Sequence, residues 1–129
     1  MKKIMISLAV VTALLSCGGS GDKKAEGGDK KETATEDISK NPDYQKGLAL
    51  VGSNDCLTCH KIDEVVTGPS YRDVANKYAS AGDTIVSHLA GKIISGGNGE
   101  WGQVFMTPHA GLSREDAEAM VKYILLLKK

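Results

Sequence analysis

Cys56 and Cys59 are separated by two residues, and His60 follows the second cysteine directly. Two thiols a short turn apart can each form a thioether to one of the two vinyl groups on a single porphyrin edge. The next residue is then carried beneath the ring, where an imidazole nitrogen can reach the iron. Cys-x-x-Cys-His is thus the pattern through which a c-type haem is attached. Three other readings compete. A redox-active dithiol favours a strand–helix–strand setting, and no such pattern surrounds residues 56–60. A structural zinc site needs four ligands, and no second Cys/His cluster follows at a conventional spacing. The third is chance occurrence.

An iron bound by His60 needs its other axial position assigned. A thioether there raises the reduction potential and closes the iron to outside ligands. Of the four methionines, Met1 and Met5 belong to an N-terminal segment expected to be removed. Met120 falls in the apolar stripe of the last helix. Met106 remains, on a loop whose Pro108 and glycines suit a backbone passing close to a ring. The interval between His60 and Met106 leaves room for two short helices to go around the haem. His109 is the rival ligand, because neutral imidazole also binds iron, but its nearness to Met106 keeps both from binding well together. His88 lies inside a helix and reads as a polar surface or packing residue.

The elements that must position these groups are helical. Asn41-Pro42-Asp43 gives a capping residue, a proline at the first helical position and an acid in the first turn. Tyr44, Leu48 and Val51 follow on one face. Gly47 interrupts this helix at a cost of about 1 kcal/mol relative to alanine, which suggests that another helix passes close. Ser70 caps a short helix to about Tyr78, with Tyr71, Val74 and Tyr78 on one side. Asp83 caps the next, whose stripe is Ile85, Leu89, Ile93 and Ile94, and Gly96-Gly97 stops it. A loop from Asn98 to Leu112 leads to the last helix. Ser113 caps that helix with Asp116 three residues on, and Ala117, Met120, Val121, Ile124 and Leu125 make its buried stripe. Lys128 and Lys129 sit where the helix dipole favours positive charge. No strand pattern is present, so the expected fold class is all-α.

Residues 1–16 read as an export segment, with Lys2 and Lys3 ahead of an apolar run, Ile4 to Leu15, too short to span a bilayer. Leu14-Leu15-Ser16-Cys17 resembles the lipobox of bacterial lipoproteins, although the residue at position 15 is usually smaller than leucine. The resemblance implies cleavage before Cys17 and lipidation of that cysteine; ordinary signal cleavage with an unused thiol is the alternative. Residues 17–40 contain too little apolar surface to offset their ordering entropy and read as a flexible tether. Residues 41–129 form the folded domain. Removal of Lys2 and Lys3 from a chain with 16 basic and 16 acidic residues leaves a net charge of about −2, which does not favour nucleic acid. A domain below about 100 residues has difficulty burying enough apolar surface alone, so a buried porphyrin is expected to complete the core.

Cys56 to His60, Gly68-Pro69-Ser70-Tyr71, Gly96-Gly97-Asn98-Gly99-Glu100-Trp101-Gly102, Met106 and the helix Glu115–Leu126, in this order, resemble a class I cytochrome c of the bacterial c551/c552 type. The resemblance covers residues 42–128. It implies a cytochrome c fold of four to five short helices around one covalently bound haem c, with Cys56 and Cys59 as attachment points and His60 and Met106 as axial ligands. It also implies that the Pro69 carbonyl accepts a hydrogen bond from His60, and that the Trp101 indole N–H reaches a haem propionate; plain packing is the alternative for Trp101. Relatives of this type often place proline on both sides of the methionine, whereas Phe105 and Thr107 flank Met106.

The expected function is a membrane-tethered mono-haem electron carrier and not an enzyme. Its expected partners are membrane oxidoreductases or a terminal oxidase or reductase. The expected state is a monomer, exported and lipid-anchored to a bacterial membrane, facing the periplasm or cell exterior. The competing class is a peroxidase-like haem enzyme or ligand sensor with a labile sixth ligand, for which His109 is the available distal group.

Overall fold

Among the described residues, three of the four α-helix starts are set by side chains folding back on the first turn. Asn41 Oδ1 accepts from the Asp43 N–H at 2.8 Å ahead of α1, Pro42–Ser53. Ser70 Oγ accepts from the Asp73 N–H at 3.0 Å ahead of α2, Tyr71–Lys77, and Ser113 Oγ accepts from the Asp116 N–H at 3.0 Å ahead of α4, Arg114–Leu126. Each cap satisfies one of the amides a helix start leaves unpaired. Helix α3, Thr84–Ser95, starts differently. Asp83 stands at its cap position, but its own backbone is already helical (φ −57°, ψ −24°) and its side chain makes no capping bond. A capping residue needs extended dihedrals to turn its oxygen over the first turn.

The computed structural model describes residues 37–129. The expected export segment 1–16, the lipidation site Cys17 and nearly all of the tether lie outside the described residues. Among the described residues no helix is long and apolar enough to cross a membrane.

Helix α4 is the axis of the domain, packing against α1, α2 and α3. Its Met120, Tyr123 and Ile124 join Val51, Tyr71, Ala75 and Leu127 in one buried cluster. Ala117 and Val121 join Ala90 of α3 in a second. The α1–α4 crossing depends on Gly47, where a Cβ would fall 2.3 Å from Tyr123 Cβ and 2.5 Å from the Ala119 carbonyl oxygen. This turns the buried face of α1 toward Tyr44, Gly47 and Val51. Leu48, expected on that face, is 42% exposed. Gly47→Ala should therefore destabilise the domain even though alanine is the better helix former by about 1 kcal/mol. The obstructing atoms are backbone and a Cβ, which no rotamer change can move, so the overpacking penalty of roughly 1–3 kcal/mol is a minimum. A fall of about 10 °C in the melting point of the haem-loaded protein, followed by its helical dichroism, is the expected result.

The expectation of a domain without strands is corrected by a hairpin. Strands β1, Gly97–Gly99, and β2, Gly102–Met106, pair antiparallel, with Gly97 opposite Met106 and Gly99 opposite Gly102. Gly97, Gly99 and Gly102 have φ of 107°, 99° and 95°. These are conformations open to glycine and strained for other residues, so the strand carries no alternating apolar pattern to reveal it. Among the described residues the fold otherwise matches the expected four to five short helices, with four α-helices and short 3-10 turns at Ile38–Lys40 and Asp55–Thr58.

Candidate functional site

Cys56 opens a tight turn just after α1. The Cys59 and His60 amides both donate to the Cys56 carbonyl, at 3.3 and 3.0 Å. Neither cysteine is paired in a disulfide; Cys56 is half-buried and Cys59 exposed. Burial pushes the Cys56 thiol above the ordinary thiol range. That is the opposite of the depressed value that activates a redox or nucleophilic cysteine. Among the described residues no three His, Cys, Asp or Glu side chains are grouped as a metal site requires.

The chain then loops back over His60. The Thr67 and Gly68 amides donate to the Cys59 carbonyl at 3.3 and 2.9 Å, and Tyr71 N–H donates to the Lys61 carbonyl at 2.9 Å. Arg72 fastens this loop by pairing with Asp63 and donating to the Leu127 carbonyl past the end of α4. The result is a cradle for one imidazole. His60 Nδ1 lies 2.7 Å from the Pro69 carbonyl oxygen. The ring stacks on Tyr71 with centroids 5.3 Å apart and planes 16° apart. A Cβ on Gly68 would lie 2.4 Å from His60 Cε1, so only a glycine fits beneath the ring. Because a carbonyl can only accept, Nδ1 carries the proton, and Nε2 is left with a free lone pair. Tyr71 and Gly68 were not singled out for this role from the sequence.

His60 lines a cavity of ≈ 440 Å³ together with Cys56, Cys59, Pro69, Trp101, Met106 and His109. Its apolar lining includes Val51, Val74, Ile93, Met120 and Ile124, residues of the main core or packed against it. The mouth is lined by Val65, Val104 and Phe105, which are 69%, 56% and 62% exposed. Met106 reaches the cavity from the end of β2. Gly96 makes this placement possible: a Cβ there would fall 2.4 Å from the Met106 carbonyl oxygen and 2.8 Å from Pro108 N. The His109 amide donates to the Ile93 carbonyl at 3.0 Å and ties the same loop to α3.

The other candidates occupy different settings. His109 Nε2 lies 2.9 Å from Asp55 Oδ1, while its Nδ1 is buried without a partner. The hydrogen bond from His109 holds the Asp55 carboxyl below its ordinary value. His88 Nε2 lies 3.2 Å from Glu100 Oε1, and His88 does not line the cavity. Trp101 is 40% exposed, with the Lys77 ammonium 4.3 Å from its ring centroid.

This donor set suits a haem: two free thiols on one turn, an imidazole whose tautomer exposes Nε2, a thioether on a separate loop, and an apolar cavity that all of them line. A single-haem α-helical fold of this kind defines a class I c-type cytochrome. The chain belongs to the cytochrome c family, whose model matches residues 44–128, and its cofactor is one covalently attached haem c. It is 43% identical over 84 residues to cytochrome c-552 of Nitrosomonas europaea, covering 65% of this chain and 81% of that protein. It is 39% identical over 87 residues to cytochrome c-551 of Allochromatium vinosum, covering 65% and 88%. The crystal structure of wild-type Nitrosomonas europaea cytochrome c552 superposes with a TM-score of 0.59 at 42% identity, over 63% of this chain and 99% of that one.

Proposed function

We propose that this protein is a membrane-tethered carrier of single electrons, with Cys56 and Cys59 attaching the haem and His60 and Met106 as its axial ligands. The observation that carries this reading is the His60 cradle. When bound, haem c supplies a one-electron couple between ferric and ferrous iron. The work of the chain is to keep that centre closed and unchanged between the two states. Pro69 holds the imidazole by its Nδ1 proton, and such an outer hydrogen bond both orients a ligating histidine and makes it more basic. Tyr71 and Gly68 leave the ring no room to turn. Met106, fixed through Gly96, offers a thioether that needs no proton to bind.

Cys59 is exposed and Leu57 beside it is 40% exposed. A partner can therefore approach the attachment turn directly, and redox encounters of this kind use small interfaces. Trp101 is assigned to a haem propionate through its indole N–H. His109, the group a haem enzyme would draft, is tied through Nε2 to Asp55 and keeps only Nδ1 for such a role; the Met106 thioether lining the same cavity favours the carrier over the peroxidase-like alternative. Lipidation at Cys17 would hold the domain at a bacterial membrane on its periplasmic or outer side. A flexible tether then raises its effective concentration at membrane-bound oxidoreductases. Fractionation of the native host tests the anchor: the wild type should stay with membranes and Cys17→Ser should be released. A wild type found wholly in the soluble fraction would remove the anchor and leave a soluble carrier.

A further inference from the structure

Glu100 is the one charged residue in the glycine-rich run from Gly96 to Gly102, and it lies at the turn of the hairpin, between the paired Gly99 and Gly102. Side chains from the end of α2 and from α3 converge on it. Tyr78, just past α2, donates its hydroxyl to Glu100 Oε2 at 3.1 Å. From α3, His88 Nε2 lies 3.2 Å and Lys92 Nζ 3.9 Å from Oε1. The Lys77 ammonium donates to the Glu100 backbone carbonyl at 2.8 Å while lying over the neighbouring Trp101 ring.

The hairpin needs such a fastening. Gly102 and Gln103 are exposed and do not line the cavity, so the half of β2 nearest the tip has no packed side chain, whereas Val104, Phe105 and Met106 line the cavity. An isolated two-stranded hairpin is marginal in water. The base of this one is fixed by the close approach of Gly96 to the Met106 carbonyl. At the tip, the contacts run through Glu100 and Trp101.

We infer that Glu100 is a positioning residue for Met106: its carboxylate, gripped by Tyr78, His88 and Lys92, fastens the hairpin tip and so fixes the strand that presents the thioether. This inference rests on Met106 being an axial ligand. The Tyr78 hydroxyl, with His88 and Lys92 beside it, holds the Glu100 carboxyl below its ordinary value. The group is therefore charged at neutral pH. Because its value is lowered, the fastening is complete above the ordinary carboxylate range and weakens as pH falls through the depressed value.

The test is made on the haem-loaded full chain. Imidazole association with the ferric protein at neutral pH reports how often Met106 leaves its place, and the sulfur-to-iron charge-transfer band reports whether it was there. Glu100→Ala should take up imidazole about tenfold faster than the wild type, the factor that corresponds to ~1.4 kcal/mol. Glu100→Gln keeps an acceptor for Tyr78 and loses the charge, so it should fall between them; it serves alone if the alanine variant fails to load haem. Glu115→Ala, which removes only the exposed pair with Lys46, should match the wild type. A wild type without the band would remove the Met106 assignment and the inference with it. A wild type with the band, and Glu100 variants no faster than it or no faster than Glu115→Ala, would overturn the role of Glu100 alone.

Discussion

Replacing both Cys56 and Cys59 with serine is expected to give a chain that holds no haem against acidified organic solvent and that largely loses its helical dichroism at 25 °C. The packing explains why the second effect follows from the first. Val51, Met120 and Ile124 belong to the main buried cluster and also line the haem cavity. A porphyrin held in that cavity would be continuous with the core and supply part of its packing. Without it, the second cluster consists of Ala90, Ala117 and Val121 with partly buried neighbours, and small domains already bury a low fraction of their surface. A thioether-bound haem stays with the unfolded chain, so what its loss removes is the apolar burial it regains only in the folded state. A loss on the order of 5 kcal/mol would remove between about a third and all of the ~5–15 kcal/mol that keeps a typical domain folded, and this small domain lies at the low end of that range. A double variant with the wild-type dichroism and melting point would show instead that the polypeptide completes the core by itself.

Met106→Ala should have the largest effect on the iron. Axial ligation sets haem potentials over a range of roughly 0.8 V, and loss of the thioether should lower the potential by about 0.2–0.3 V on that scale. The same variant should bind imidazole and carbon monoxide readily. His109→Ala should leave the potential and ligand binding nearly unchanged, because a ring that lines the cavity without ligating the iron neither sets the potential nor closes the site. Potentiometric titration and ligand binding on the two variants together decide the assignment. The reverse pattern would move the ligand to His109.

The parts of this fold legible from the sequence are those governed by near neighbours. The caps at Asn41, Ser70 and Ser113 involve residues two or three positions apart, and the α4 stripe is a single helical period read over three turns. The Cys56–His60 run is likewise a local pattern with one dominant chemical meaning. Legibility ends where position depends on distant chain. Leu48 fits the apolar stripe of α1 as well as any residue does, but the close approach of α4 at Gly47 rotates it outward. Asp83 has a capping side chain and lacks the backbone to use it. The hairpin leaves no strand pattern in the sequence because glycines at positive φ build it in place of β-branched residues. Glu100 carried a faint signal in being the sole charge among those glycines. Its partners, from Lys77 to Lys92, could not be foreseen without the packing of α2 and α3. The closeness of His60 to the Pro69 carbonyl depends on how residues 61–68 turn, which no local propensity dictates; the family resemblance alone suggested it.

The central claim is that the chain itself fills both axial positions of the iron, leaving a centre that exchanges electrons and binds nothing else. The most direct measurement is the optical spectrum of the mature protein, oxidised and then reduced, with and without carbon monoxide at neutral pH. A low-spin spectrum, a sulfur-to-iron charge-transfer band in the oxidised form, and a reduced spectrum that carbon monoxide leaves unchanged are predicted. A high-spin oxidised spectrum with rapid carbon monoxide binding on reduction would contradict the claim and favour an enzyme or ligand sensor.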